Sequence, residues 1–236
     1  MRGQNGGIAL EIRSVKSSIK RWLAVRKDIL PPYDHVQLYT GIPLVYIVKS
    51  DGSIKGAAGV SGNICSNSAS LVRAAPTDII RTGPAHEIGH SMGASHDYGP
   101  ECPSHMGSVM GGGPPYTFSK CAIREMKAKL KRLDELNKNC LLNNATNEKK
   151  YAEIIEKLPG QFYNADEQCK MKNGPDSVNC VFRYARRYSR CERLSCTNKS
   201  KNCITGYQPP AYGTSCGNGM WCIRGQCVFD EKAPYL

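Results

Sequence analysis

Residues 86–96 read HEIGHSMGASH and contain three of the chain's five histidines. His86 and His90 are four residues apart, so on a helix their imidazoles lie on one face, one turn apart. Glu87 lies between them and can reach a metal-bound water without binding the metal itself. A glycine allows the chain to turn sharply after the helix, and His96 can then return as a third ligand. The pattern predicts a zinc ion held by three histidines with an open fourth position, which is typical of a catalytic site.

The same stretch matches the metzincin signature H-E-x-x-H-x-x-G-x-x-H over its whole length, and Asp97 follows the third histidine. It resembles the reprolysin, or adamalysin, branch of zinc metalloproteases, which includes the ADAM and ADAMTS proteases. The resemblance implies an α/β metzincin catalytic domain with a mixed twisted sheet and an active-site helix. It also implies a Met-turn below the histidines. Met110 in Ser108-Val109-Met110 is the expected support, and Met106 is a weaker candidate.

Composition indicates the compartment and the partners. The chain has 236 residues, a formal net charge of +12 and twelve cysteines, none of them in a C-x-x-C pair. Disulfides formed in an oxidising compartment explain these cysteines better than metal clusters, and the sequons at Asn144 and Asn198 fit a secreted chain. For a basic secreted protein the natural acidic partners are sulfated glycans, the matrix or cell surfaces. The compartment and the lack of a recognition motif argue against nucleic acid.

The N-terminal region differs from what a secreted reprolysin would carry. Residues 1–7 are polar, and no apolar region of a signal peptide follows them. No window approaches about 18 continuous apolar residues, so no membrane span is predicted. Reprolysin domains usually have another strand–helix–strand stretch before the first helix expected here. We therefore expect an N-terminally truncated catalytic domain, with the signal peptide and pro-segment not present in this chain.

Hydrophobic periodicity places helices and strands around the motif. Apolar spacing predicts a helix over 10–28 and another over 120–142, with strands at 36–39 and 44–48. Pro84 is costly inside a helix but tolerated in its first turn, so the active-site helix should begin near Thr82. Two histidines lie outside the motif. We expect His35 to be structural and His105 to be an exposed loop residue.

A small, glycine-rich segment at 56–65 corresponds in the family to an edge strand along the active-site cleft. Such a strand can pair with a bound peptide by main-chain hydrogen bonds. The expected contact residues are Ala58, Gly59 and Val60. A flexible glycine loop is the competing interpretation.

The second half of the chain reads as a separate module. Residues 143–157 are predicted to be a linker, which leaves a catalytic domain at 1–142 and a small disulfide-rich module at 158–236. The segments at 158–169 and 213–227 resemble the opening and the close of the ADAMTS disintegrin-like/cysteine-rich module. With few aliphatic residues between its cysteines, the module must be stabilised by disulfides. The overall layout is most similar to the short salivary metalloproteases of ticks.

Cysteine spacing alone leaves many pairings open. The family resemblance implies Cys65–Cys140 and Cys102–Cys121 in the catalytic domain. In the second module it implies Cys169–Cys196, Cys180–Cys203, Cys191–Cys222 and Cys216–Cys227. A run of arginines in that module is either a solvated loop or a glycan or substrate site; it comprises Arg183, Arg186, Arg187, Arg190 and Arg193.

These patterns favour a secreted zinc endopeptidase that hydrolyses peptide bonds of extracellular matrix or clotting proteins through a zinc-bound water and Glu87 as general base. Calcium is implied only by family analogy. The alternative is a catalytically idle secreted protein that binds a partner through its Cys-rich module. The intact Glu87 argues against that alternative, and the expected N-terminal shortening argues for it. An intracellular zinc-structural protein is opposed by the open fourth position.

Overall fold

The computed structural model describes residues 9–47, 54–57, 59–60, 63–66, 68–73, 83–111, 117–143, 157–180, 189–206 and 209–234. The chain divides into two compact units, residues 1–102 with 118–143, and residues 103–117 with 144–236. Residues 103–117 fall in the second unit, whereas the sequence prediction includes them in the catalytic domain. Most of the predicted linker at 143–157 lies outside the described residues.

Two three-stranded sheets form in the described part of the first unit. One has the order β1-β3-β4, in which β1 (Leu10–Glu11) is parallel and β4 (Ile54–Ala57) antiparallel to β3 (Leu44–Ile47). The other has the order β2-β6-β5, in which β2 (Val36–Thr40) is parallel and β5 (Gly59–Val60) antiparallel to β6 (Ala69–Arg73). Both sheets are mixed, but the resemblance implies a single mixed sheet, whereas the described strands pair in two separate ones.

Three helices accompany these strands: α1 (Ile12–Ala24), α2 (Gly83–Ser91) and α3 (Lys120–Glu135). The helix expected over 10–28 is shorter, because Leu10 pairs with Leu44 as a strand and the Glu11 carboxylate caps the helix by accepting from Ser14 N at 2.7 Å. That hydrogen bond lowers the pKa of Glu11. The helix expected over 120–142 ends early because Asn137 has a left-handed φ of 53°, which asparagine tolerates. A short 3₁₀ turn follows at Cys140–Leu142.

A polar network joins β2, β6 and the first turn of α2. The His35 ring hydrogen-bonds Ser68 Oγ at 2.7 Å and Ser70 Oγ at 2.8 Å, and both serines are 1% exposed. Gln37 Nε2 donates to Ser70 Oγ at 3.2 Å and to the Pro84 carbonyl at 2.9 Å. Burial lowers the pKa of His35 and so favours the neutral ring. In a neutral ring one nitrogen donates a hydrogen bond to one serine and the other nitrogen accepts one from the other serine. His35 therefore has the structural surroundings expected of it.

The described part of the second unit has little apolar core and many cross-links. Its described elements include α4 (Pro159–Phe162), α5 (Ala165–Asn173), a hairpin of β7 (Ser195–Thr197) and β8 (Cys203–Thr205), and a sheet of β9 (Ser215–Gly217), β10 (Met220–Ile223) and β11 (Gln226–Phe229). A small apolar cluster of Cys169, Leu194 and Cys196 lies between α5 and β7. Gln168 stabilises this unit by donating to Thr214 Oγ1 and accepting from Ala211 N.

Six disulfides are formed, with the pairing that the family resemblance implies. The first unit contains Cys65–Cys140 and Cys102–Cys121. The second contains Cys169–Cys196, Cys180–Cys203, Cys191–Cys222 and Cys216–Cys227. The last two lie side by side, since the Sγ atoms of Cys191, Cys216 and Cys227 are within 4.8 Å of one another. These sulfurs are oxidised, so they do not form a metal site.

Ser70→Ala should lower the free energy of unfolding by about 1–3 kcal/mol, because His35 and Gln37 would each lose a hydrogen-bond partner inside the protein. Urea unfolding followed by circular dichroism would measure the change. Ser66→Ala, at an exposed site in the same unit, is the matched control and should change stability by less than about 0.5 kcal/mol. Equal stability of the two variants would contradict a stabilising role for the network.

Candidate metal centre

Three imidazole nitrogens converge at the end of α2. His96 Nε2 lies 3.1 Å from His86 Nε2 and 3.1 Å from His90 Nε2. Two nitrogen ligands of a tetrahedral zinc ion, at the usual bond length, are about 3.3 Å apart. The three rings are neighbours at centroid distances of 4.6 to 5.0 Å. The donor set and its spacing therefore fit a zinc ion bound by His86, His90 and His96.

The backbone after α2 determines which nitrogen of His90 faces the centre. His90 Nδ1 donates to the Ala94 carbonyl at 2.7 Å, which leaves the lone pair of Nε2 directed towards His96. Burial lowers the pKa of His90 and so favours the neutral ring that a metal requires. Ala94 reaches this position because Gly93 adopts a φ of 104° and Ala94 N donates to Gly89 O.

His96 is fixed from both sides by α3. Ser95 N donates to Glu125 Oε2 at 2.6 Å, and Ser119 Oγ donates to Asp97 Oδ1 at 2.6 Å. Ser119 is also the N-cap of α3, where its Oγ accepts from Ala122 N. The buried carboxylate of Asp97 thus binds the N-cap residue of α3. His96 lies in a loop, but its neighbours on both sides are hydrogen-bonded to this helix and its cap.

Glu87 is the buried carboxyl group of α2, with 6% of its surface exposed. Burial raises the pKa of Glu87 to about 7, against a smaller opposing effect of the Lys16 charge. Among the described residues, the metal-ligating groups that converge here are the three histidines, and Glu87 is not one of them. A carboxyl group beside the ligands, with a pKa near neutrality, is suited to proton transfer.

The other predicted site residues have different outcomes. Gly59 and Val60 form β5, which pairs with Val72 and Leu71 at one edge of the second sheet, so a strand is favoured over a flexible loop. Ala58 lies outside the described residues.

The Met-turn candidates lie in the part of the chain that belongs to the second unit. Met110 is 2% exposed there, and Gly111 N donates to Ser108 Oγ at 2.7 Å. Its support of the histidines stays a prediction. Met106 lies in a short 3₁₀ turn, Ser104–Met106. His105, in the same turn, is exposed, as expected.

Sequence reasoning missed the residues that orient the ligands. No sequence motif marks the groups that make these contacts, which are the Ala94 carbonyl, the Glu125 carboxylate and the Gln37 amide. Glu125 and Gln37 also lie far from the histidines in the chain. Ser119 is the N-cap of α3, and no local pattern of the sequence indicates its bond to Asp97. None of the described helices is both long and apolar enough to cross a membrane.

Comparison with known families agrees with a zinc site in the first part of the chain and a cysteine-rich module in the second. Residues 9–145 match the family described as reprolysin (M12B) family zinc metalloprotease. Residues 159–228 match the ADAMTS cysteine-rich domain 2. The two matches follow one another along the chain and together cover most of it.

Individual relatives align with long stretches of this chain. The human "A disintegrin and metalloproteinase with thrombospondin motifs 18" is 32% identical over 210 residues, which are 86% of this chain and 17% of the relative. The Mus musculus "A disintegrin and metalloproteinase with thrombospondin motifs 16" is also 32% identical over 210 residues, with the same coverage of both chains. The Bos taurus protein numbered 5 is 32% identical over 166 residues, which are 64% of this chain and 74% of the relative.

The chain spans about a sixth of the length of the first two relatives. The similarity to tick salivary enzymes stays a prediction. The three-histidine motif, the two family matches and the relatives lead to one conclusion: the chain belongs to the reprolysin (M12B) family of zinc metalloproteases and is ADAMTS-like.

Proposed function

We propose that this chain is a zinc-dependent endopeptidase that hydrolyses peptide bonds of extracellular proteins. The observation that carries the proposal is the convergence of three imidazole Nε2 atoms beside α2, the helix that also carries the buried carboxyl group of Glu87. Bound zinc supplies Lewis acidity, which acidifies water and polarises a carbonyl group. Secretion, substrates among matrix or clotting proteins, and a calcium requirement are parts of the proposal that rest on the family alone.

Glu87 moves the proton in this mechanism. Its carboxylate accepts a proton from the attacking water while the water oxygen bonds to the peptide carbonyl carbon. When the C–N bond breaks, Glu87 returns that proton to the amine nitrogen, so the carboxylate is regenerated. The raised pKa of Glu87, about 7, suits a group that must both accept and donate a proton near neutral pH. The Nδ1 proton of His90 stays on the ring and is donated to the Ala94 carbonyl. His90 therefore takes no part in proton transfer.

The substrate would bind in an extended conformation along β5. Gly59 and Val60 lie on an edge strand, and the main-chain groups of such a strand can pair with a peptide. We keep Ala58 in this contact stretch and Met110 as the support of the histidines.

A catalytically idle protein that acts through the Cys-rich module is the second candidate. It is disfavoured because both the ligand set and Glu87 are retained.

Glu87→Ala should reduce cleavage of fibrinogen or gelatin by about 10²- to 10⁴-fold, because the general base is lost. The zinc content, measured on the same preparation, should be unchanged because Glu87 is not a ligand. Glu101→Ala is the control, since it removes an exposed carboxylate that pairs with Arg124 and Lys120 at the surface. Cleavage by Glu87→Ala at the unmodified rate would refute the assignment.

His96→Gln should weaken zinc binding by at least about tenfold, measured by competition with a fluorescent chelator, because a tetrahedral site would lose one of three protein ligands. Zinc at 100 times its Kd should stabilise the unmodified chain by about 2.7 kcal/mol, and the same zinc concentration should stabilise a variant with tenfold weaker binding by only about 1.4 kcal/mol. His105→Gln, which changes an exposed loop histidine, should keep both properties. Equal zinc affinity of the two variants would exclude His96 as a ligand.

A further inference from the structure

A cavity of about 330 Å³ lies within the second unit, far along the chain from the histidine motif. Its walls are formed by the start of α5, the segment 189–195, and residues of β8, β9 and β10. The volume is at the lower end of the range of about 300–1,000 Å³ for small-ligand pockets. A single side chain of a partner protein fits such a space better than a large ligand does.

The charged side chains among the described residues of the lining are positive. Arg190 and Arg193 both line the cavity, and no acidic side chain is among these residues. Guanidinium groups bind carboxylates through two parallel hydrogen bonds, which gives both affinity and a defined orientation. The cavity is therefore suited to an anion with planar geometry.

The turn that carries the two arginines is held rigidly. Ser189 N donates to Glu192 Oε2 at 2.9 Å, and Glu192 N donates back to Ser189 Oγ at 3.2 Å. Ser189 Oγ also donates to the Gly225 carbonyl, and the fully buried Cys191 joins the turn to β10 by its disulfide with Cys222. Because the backbone between the arginines is fixed before binding, little ordering cost remains for the ligand.

The remaining lining distinguishes between kinds of anion. Ala165, Leu194 and Pro210 supply apolar surface, and Ser195 and Thr205 supply hydroxyls. An aspartate or glutamate side chain has a short apolar stem and a carboxylate head, which matches this combination. A sulfated glycan is an extended polyanion and is bound best by a row of exposed cations rather than by a recess.

We propose that this cavity binds an aspartate or glutamate side chain of a protein partner, with Arg190 and Arg193 holding the carboxylate. The binding does not depend on peptidase activity. Through this cavity the Cys-rich unit recognises a carboxylate group by itself. The expected partners are acidic segments of extracellular proteins.

The test uses the full chain with Glu87→Ala, so that no cleavage interferes with binding. The probes are a fluorescein-labelled octapeptide with two glutamates among glycines and serines, the same peptide with glutamines, and a labelled heparin octasaccharide. We expect the glutamate peptide to bind in fluorescence anisotropy, and the glutamine peptide to bind at least about tenfold more weakly, because it lacks the carboxylate.

Arg190→Gln together with Arg193→Gln should weaken binding of the glutamate peptide at least about tenfold. The exposed pair Lys199→Gln and Lys232→Gln is the control, because it removes the same charge from the same unit outside the cavity. If the double arginine variant does not fold, Arg190→Gln alone provides the test, since Arg190 is exposed. An equal loss in the lysine control, binding of heparin without the peptide, or no peptide binding up to about 5 mM would each overturn the proposal.

Discussion

The metal centre depends on the left-handed backbone at Gly93, where the chain leaves α2. A φ of 104° is rarely accessible to a residue with a side chain, and a Cβ added there would lie 3.0 Å from Lys129 Cβ on α3. This conformation brings the Ala94 carbonyl to His90 Nδ1 and returns the chain so that His96 meets the other two histidines. One backbone torsion therefore controls both the position of the third ligand and the tautomer of the second.

Parts of the first unit that are distant in sequence hold this arrangement in place. Gln37 on β2 donates to the Pro84 carbonyl in the first turn of α2, and the His35–Ser70 pair supports Gln37 from the sheet. At the other end, α3 binds the loop on both sides of His96 through Glu125 and Ser119. Binding groups fixed in advance lose little entropy when a metal or a substrate arrives, which is the physical benefit of supporting the ligands so extensively.

The second unit is stabilised in another way. Its described residues include few buried aliphatic side chains, and four disulfides and the buried amide of Gln168 hold its strands and turns together. Gly160 packs so closely on Thr214 that an added Cβ would overlap the backbone nitrogen of Thr214. In such a framework the side chains of a loop can be changed while its backbone stays fixed. The turn that carries Arg190 and Arg193 is an example. Recognition by this unit then depends on side-chain chemistry rather than on adaptation of the fold.

The sequence alone was enough to predict the three histidine ligands and Glu87 as general base and to indicate the cysteine-rich module, because helical periodicity and short metal-ligand spacings are local properties of the chain. It also indicated the helices α1, α2 and α3 and the strands β2, β3 and β5. It placed the start of α1 and the end of α3 too far out, because Leu10 pairs as a strand and Asn137 adopts a left-handed backbone. Only the tertiary structure revealed the burial and raised pKa of Glu87, the bonds from Gln37, Ser119 and Glu125, and the cavity with its two arginines. These features arise from residues that are far apart in the chain and meet only on folding, so no local pattern can encode them.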